Sequence, residues 1–233
     1  MSLLKEKVVA MVLSSATIGE YDKRVVLLSR ELGRISAFAR GARRPKSQLA
    51  AVTETFCFGE FFIYSGRDYY TIEEVRIANY FPELRTDLVK LYMGMYFCEV
   101  ADYFTREGLK ASDELELLYR ALMALTVGDI SDDLIRRIYE LRFLAVSGYA
   151  PYYDASDECW HDDSGAWKLS PTASYAVGQV ISRDMSRLFG FSVSEEVMAE
   201  LDRYIGAFFK KNTDKEFATL ATLKQFMVAG FDK

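Results

Sequence analysis

The chain has 233 residues, 50% of them apolar, 27% charged and only four proline, a composition that excludes a largely disordered protein and supplies the apolar side chains for one large or two modest cores. Its formal net charge of -5 taken alone argues against a nucleic-acid binder, because phosphate neutralisation needs clustered Lys and Arg. The average hides an asymmetry: residues 1–80 carry 12 basic and 9 acidic side chains, leaving the first part at +3 and the remainder at -8, a split that suits one module for a polyanion and another for a different partner.

In chain order, Met1 to Val9 holds Lys5 and Lys7 with only a short apolar run before Ser14 and Ser15. That pattern fits neither a signal peptide nor a spanning helix, so a soluble, cytoplasmic protein is expected. Five segments rich in β-branched and aromatic residues then read as strands: Lys7 to Ser14, Arg24 to Arg30, Arg34 to Arg40, Phe56 to Tyr64 and Tyr69 to Ile77. Turn-like stretches separate them, at Gly19 to Asp22, Gly33, Gly41 to Pro45 and Ser65 to Asp68. Five short antiparallel strands in about 80 residues predict a small closed barrel, of which the five-stranded OB-fold is a common nucleic-acid-binding form.

Past Pro82 the period becomes helical. Leu88 to Arg106 is apolar on so many sides that it should be buried in the core of a second domain. Asp113 and Glu116 resemble a capping box for a helix to about Thr126, and Ser131 with Asp132 and Asp133 opens another with a Leu134, Ile138, Leu141, Ala145 stripe, ended by Gly148 and Pro151. Ser170 and Pro171 cap a helix to about Arg183; Ser194 caps a second ending at Lys210 and Lys211, and a last one spans roughly Phe217 to Val228. Tyr149 to Lys168 is aperiodic and reads as an irregular loop or insertion. The fold class is therefore α+β: an N-terminal five-stranded OB-fold barrel at 1–80 and an all-helical C-terminal domain at 81–233, with the loop at about 149–168.

Tyr21 to Lys46 concentrates Lys23, Arg24, Arg30, Arg34, Arg40, Arg43, Arg44 and Lys46 against Asp22 and Glu31. On a strand, Arg34, Ser36, Phe38 and Arg40 share one face, which would present cations flanking an aromatic ring. That is what a surface needs to follow a phosphate backbone while stacking a base. The alternative is a solvated basic loop beside a barrel into which Phe38 packs.

Other chemistry is sparse. The three cysteines, Cys57, Cys98 and Cys159, are far apart and odd in number, which gives no disulfide framework and points to a reducing compartment. Cys159 and His161, the sole histidine, are two donors where zinc wants four. No Walker or GxGxxG loop supports nucleotide use, and the paired acids sit in first turns of helices, so no catalysis and no cofactor is expected. Arg136, Arg137 and Arg142 lie on a helix rich in Leu and Ile; helical spacing puts Arg136 off the apolar stripe, where solvation is the default, and a basic rim gripping an acidic apolar peptide is the functional alternative.

The runs Gly19-Glu20-Tyr21-Asp22-Lys23, Leu27 to Arg34 and Ala39-Arg40-Gly41-Ala42-Arg43-Arg44-Pro45-Lys46-Ser47 resemble the start of the bacterial RecO family. Phe58-Gly59-Glu60, Glu140 to Pro151 with its Gly-Tyr-x-Pro turn, Leu169-Ser170-Pro171 and the closing Thr219 to Phe226 segment are also similar to it. The resemblance implies an N-terminal OB-fold and a helical C-terminal domain that bind single- and double-stranded DNA and anneal complementary strands without ATP. It also implies a RecR-like protein and the acidic C-terminal tail of single-stranded-DNA-binding protein as partners in recombinase loading. Carried over, it makes Lys23, Arg34, Arg40, Arg43, Arg44 and Lys46 the DNA-facing cations, to which the residue pattern adds Arg24 and Phe38. Many family members have a four-cysteine zinc site after the Gly-Tyr-x-Pro turn; here only Cys159 and His161 stand there, and no structural zinc is expected. The rivals are a diverged, non-catalytic protein-binding adaptor on an OB-fold and, more remotely, a hydrolase using His161.

Overall fold

The structure, a computed structural model, describes residues 4–66, 69–163 and 165–228. The chain forms two compact units, Met1–Leu115 and Glu116–Lys233.

The first unit is built on five strands, β1 (Leu4–Ile18), β2 (Asp22–Ser29), β3 (Gly33–Ala39), β4 (Phe58–Ser65) and β5 (Tyr70–Asn79). They close into a barrel in the order β1-β2-β3-β5-β4, with β4 returning to β1. This is the expected OB-fold barrel. One long strand makes closure feasible: β1 pairs β4 through Leu4 to Met11 and β2 through Ala10 to Ile18, with a register shift between Val12 and Ser14. Such a bulge bends a strand and lets it serve two neighbours. All pairs but one are antiparallel; β3 and β5 close the seam in parallel at Ala37 with Tyr70 and Phe38 with Thr71. Alternation fills the interior with Val8, Ala10, Val12, Val25, Leu27, Ile35, Ala37, Ala39, Phe61, Ile63 and Ile72, all at or near zero exposure. Each such full burial of a Val, Leu or Ile contributes about 1.5–3 kcal/mol. The turn read at Ser65 to Asp68 falls partly on residues 67–68, outside the described residues.

A short α1 (Leu49–Val52) lies between β3 and β4, and α2 (Leu88–Phe104) follows a 3-10 turn at Pro82–Arg85. The Asp87 carboxylate accepts hydrogen bonds from the Val89 and Lys90 amides and caps α2. Helix α2 is buried along Met93, Tyr96, Phe97, Val100 and Ala101, as its apolar pattern requires. It belongs to the barrel's unit, however, and not to the core of the second one. The reason is visible after its C-terminus. Arg34 N–H donates to the Arg106 carbonyl (3.2 Å), Gly108 N–H to the Leu32 carbonyl (2.9 Å) and Ala111 N–H to the Arg30 carbonyl (3.2 Å). Gly33, at φ +69°, is what permits this: a Cβ there would lie 2.2 Å from the Arg106 carbonyl oxygen and 2.3 Å from that of Leu109.

The second unit contains α4 (Asp132–Leu144), α5 (Pro171–Ser182), α6 (Glu195–Lys211) and α7 (Ala218–Val228). Helix α3 (Ser112–Val127) starts at the junction of the units, one residue before Asp113, so that Asp113 is a first-turn residue and not a cap. Ser131, Ser170 and Ser194 cap α4, α5 and α6 through their hydroxyls, as read from sequence. Gly148, at φ +92°, ends the turn after α4.

The stretch 149–168 is not an irregular loop. It forms a three-stranded antiparallel sheet, β6 (Tyr152–Asp154), β7 (Cys159–Asp162) and β8 (Gly165–Trp167), so the second unit is not purely helical. Aromatic rings anchor this sheet. The buried Trp160 donates its indole N–H to the Ser174 hydroxyl on α5 (2.9 Å), and Trp167 packs on Tyr204 of α6 with ring centroids 5.5 Å apart.

Candidate nucleic-acid interface

Along β3, Ile35, Ala37 and Ala39 point inward with no exposure, which turns Arg34, Ser36 and Phe38 to the outer face. The register with β2 sets Arg24 opposite Phe38. Cross-strand partners share a face, so the Arg24 guanidinium lies over this surface, donating to the Ser36 hydroxyl at 2.8 Å. Phe38 is half-buried and packs edge-to-face with Tyr69, centroids 5.3 Å apart at 84°. Arg40, exposed at the end of β3, donates to the Tyr69 hydroxyl at 3.3 Å, its guanidinium carbon 5.8 Å from that ring's centroid.

The basic stretch after β3 is a folded run of turns and not a free loop. Gly41, at φ +67°, donates its N–H to the Asp22 carboxylate (2.7 Å), Arg44 N–H to the Gly41 carbonyl (3.0 Å) and Ser47 N–H to the Arg44 carbonyl (3.1 Å). It is also fastened to the tip of the β1–β2 loop. Arg43 donates from its backbone to the Tyr21 carbonyl (2.9 Å) and from its guanidinium to the Glu20 carbonyl (3.0 Å), while Arg44 sits 5.4 Å from the Tyr21 ring. Arg43, Arg44 and Lys46 are exposed on one segment, and Lys46 holds a left-handed φ of +65°. The Tyr21 hydroxyl is held above its ordinary pKa, first by a hydrogen bond to the Glu20 side chain and then by partial desolvation, against the pull of Arg44.

Two predicted cations are already engaged. Lys23 is only 13% exposed; its ammonium bonds the Glu54 carboxylate at 2.5 Å and the Ala50 carbonyl at 3.0 Å. Arg34 pairs at 2.5 Å with Asp102 of α2. Both tie the barrel together. The sequence reading missed Tyr69, because only the parallel β3–β5 seam brings it beside Phe38. It also passed over Tyr21, although an aromatic at a loop tip beside a basic run is a visible signal.

In the second unit Arg136 and Arg137 do not form a solvated face or a rim. Their side chains are 10% exposed and converge with Glu140, 1% exposed, and Asp202 of α6. Arg137 reaches Glu140 at 2.6 Å and Asp202 at 2.5 Å. Gly206 leaves room on α6 for that guanidinium, which would stand 3.1 Å from a Cβ at this position. The carboxylates offset the desolvation that would otherwise forbid burying two cations. Burial alone would raise Asp202, but the hydrogen bond and charge of Arg137, with Arg136 and Lys224, hold it below its ordinary pKa. Arg142 donates to the carbonyls of Val180 and Ile181 and so joins α4 to α5. All three side chains are engaged within the second unit.

The family model described as recombination protein O N terminal matches residues 1–81, and the one described as recombination protein O C terminal matches residues 85–221. The chain belongs to the RecO family. Curated relatives named DNA repair protein RecO align along most of it. That of Acetivibrio thermocellus is 31% identical, covering 94% of this chain and 96% of its own. That of Symbiobacterium thermophilum is 30% identical over 83% and 87%, and that of Clostridium novyi 26% over 93% and 91%.

The zinc site that the RecO resemblance implies does not fit the residues of the β6–β8 sheet. Among the described residues, the donors that converge are the carboxylates of Asp154 and Asp157 and the imidazole of His161, all within 4.8 Å of one another. The Cys159 thiol is directed instead at the Asp157 carbonyl, 3.4 Å away, and is raised above its ordinary pKa by desolvation and then by the Asp157 charge. Two oxygens and one nitrogen are a poor replacement for four thiolates.

Proposed function

We propose that this RecO-family chain is a non-catalytic mediator of DNA repair and recombination. On this reading it binds single- and double-stranded DNA on the outer face of β2 and β3 and anneals complementary strands. The observation that carries the reading is a set of exposed cations, Arg24, Arg40, Arg43, Arg44 and Lys46, on the strands and turns of an OB-fold barrel that also holds Phe38 and Tyr69 in contact. Exposed cations neutralise phosphates and release counterions, and the rings offer faces to unstacked bases. Two strands held on one cationic surface repel each other less, and pairing follows from co-localisation. Lys23 and Arg34, in the notional DNA-facing set, act here through Glu54 and Asp102.

Neutralising Arg24, Arg43, Arg44 and Lys46 with Gln tests this. The slope of log affinity against log salt for single-stranded DNA should shrink by about 0.7 for each phosphate that is no longer neutralised. Unchanged affinity and slope would remove the surface from the account.

The partner side of the reading is loading of recombinase with a RecR-like protein at gaps covered by single-stranded-DNA-binding protein, in the cytoplasm. One feature supports a peptide partner. A cleft of about 390 Å³ in the second unit is lined by Tyr119, Met123, Val127, Met185 and Phe189, with Asp129 and Arg120, the latter paired with Glu116 at 2.7 Å, among its walls. An apolar cleft with a cation suits an acidic tail with apolar residues.

A further inference from the structure

We infer that Arg40 acts by positioning a stacking ring, Tyr69, and that Tyr69 with Phe38 is what makes this surface favour unpaired over paired DNA. The inference rests on the DNA-binding reading and assigns two of its groups different work.

Tyr69 stands immediately before β5 and is 44% exposed. It meets Phe38 at 84°, and an edge-to-face pair leaves ring faces uncovered. Arg40 holds the same ring at its hydroxyl (3.3 Å) and through its guanidinium, 5.8 Å from the centroid. Among the described residues no carboxylate pairs with Arg40, in contrast to Lys23 and Arg34. Its hydrogen bond and its cation–π contact both go to the tyrosine. A cation–π interaction and a hydrogen bond from a planar fork restrict the ring before any ligand arrives. A ring ordered in advance loses less entropy when a base stacks on it. Bases of a duplex are stacked on each other and closed to it, whereas those of a single strand are open. The Arg24 guanidinium, held on the same face opposite Phe38, and the cations of residues 43–46 remain to follow the phosphates, which both forms of DNA possess.

The test compares the full chain with its Tyr69→Ala, Tyr69→Phe and Arg40→Lys variants on oligo-dT and on a duplex of equal length, each across a salt series, with melting curves to confirm folding. Tyr69→Ala should lower oligo-dT affinity about 5- to 150-fold and leave duplex affinity and both salt slopes unchanged. Tyr69→Phe keeps the stacking face and should restore most of the loss. Arg40→Lys keeps the charge without the fork; it should weaken oligo-dT binding alone, with no additional loss when combined with Tyr69→Ala. If Arg40→Lys and Tyr69→Ala reduce both ligands alike, or if Tyr69→Ala has no effect on a chain that binds with steep salt dependence, the inference fails while the DNA-binding reading stands. Absence of binding by the unaltered chain would remove both.

Discussion

Glu140→Ala should unfold the second unit far more readily than its small size implies. The carboxylate is 1% exposed and serves two guanidiniums, Arg137 at 2.6 Å and Arg136 at 3.6 Å, whose side chains are 10% exposed. Its removal leaves two buried cations with Asp202 and Asp133, which are half exposed and screened by water. Breaking a buried ion pair by deleting one partner costs about 3–5 kcal/mol, most of it for the charge left behind. With a urea dependence of about 1.5 kcal/mol per molar for a unit this size, the midpoint should fall by about 2–3 M. The two tryptophans, Trp160 and Trp167, both lie in this unit, so intrinsic fluorescence follows its unfolding without contribution from the barrel. Asp133→Ala, at an exposed end of the network, should cost at most about 0.5 kcal/mol. Replacing Arg136, Arg137 and Glu140 together by apolar residues of similar volume should recover most of the Glu140 loss. A Glu140→Ala effect below about 1 kcal/mol would refute the view that this carboxylate keeps the arginines buried.

In the first unit, Gly33→Ala must place a Cβ at a left-handed φ and against two backbone carbonyls; a loss of about 2–4 kcal/mol is expected, read by circular dichroism, and a change below about 0.5 kcal/mol would contradict the close approach. Acid should weaken the second unit through Asp202. Its pKa is lowered in the folded state, so its stabilisation is complete above the unfolded value of about 3.9 and is lost as pH falls through the folded one. Asp202→Asn should flatten the urea midpoint against pH in that acidic window, and a variant as pH-sensitive as the parent would assign the effect elsewhere. Treatment with a strong chelator should leave the tryptophan-detected midpoint unchanged, since Trp160 and Trp167 anchor the β6–β8 sheet by packing; a fall would mean that a metal holds it. Val127→Asp, in the cleft, should abolish binding of an acidic, apolar-ended peptide measured by anisotropy, and undiminished binding would place the peptide elsewhere.

How far the sequence reveals this molecule depends on the distance over which each feature is decided. The two-residue period of β3 is local, and it set Arg34, Ser36, Phe38 and Arg40 on one face; that this face is the outer one was decided by the burial of Ile35, Ala37 and Ala39 in the closed barrel. Serine caps are equally local, followed by acidic first turns at α4 and α6 and by Pro171 at α5, and three helix starts followed from them. The ion pair of Arg34 with Asp102, the capture of Lys23 by Glu54 and the meeting of Phe38 with Tyr69 join residues about 30 to 70 positions apart, and no spacing rule reaches them. The burial of Arg136 and Arg137 was hidden for the same reason, since the compensating Asp202 and the space beside Gly206 belong to α6. Strands β6 to β8 are three or four residues long, too short for alternation to stand out among aspartates and glycine.

The most direct test of the central claim is the binding of the purified chain to labelled single-stranded DNA across a salt series, followed in the same buffer by the rate of annealing of complementary strands. The account expects tight binding that weakens steeply with salt, and annealing faster than that of the free strands. No binding at low salt, or binding without acceleration of pairing, would contradict it and leave an OB-fold whose partner is not DNA or whose hold on DNA does not bring strands together.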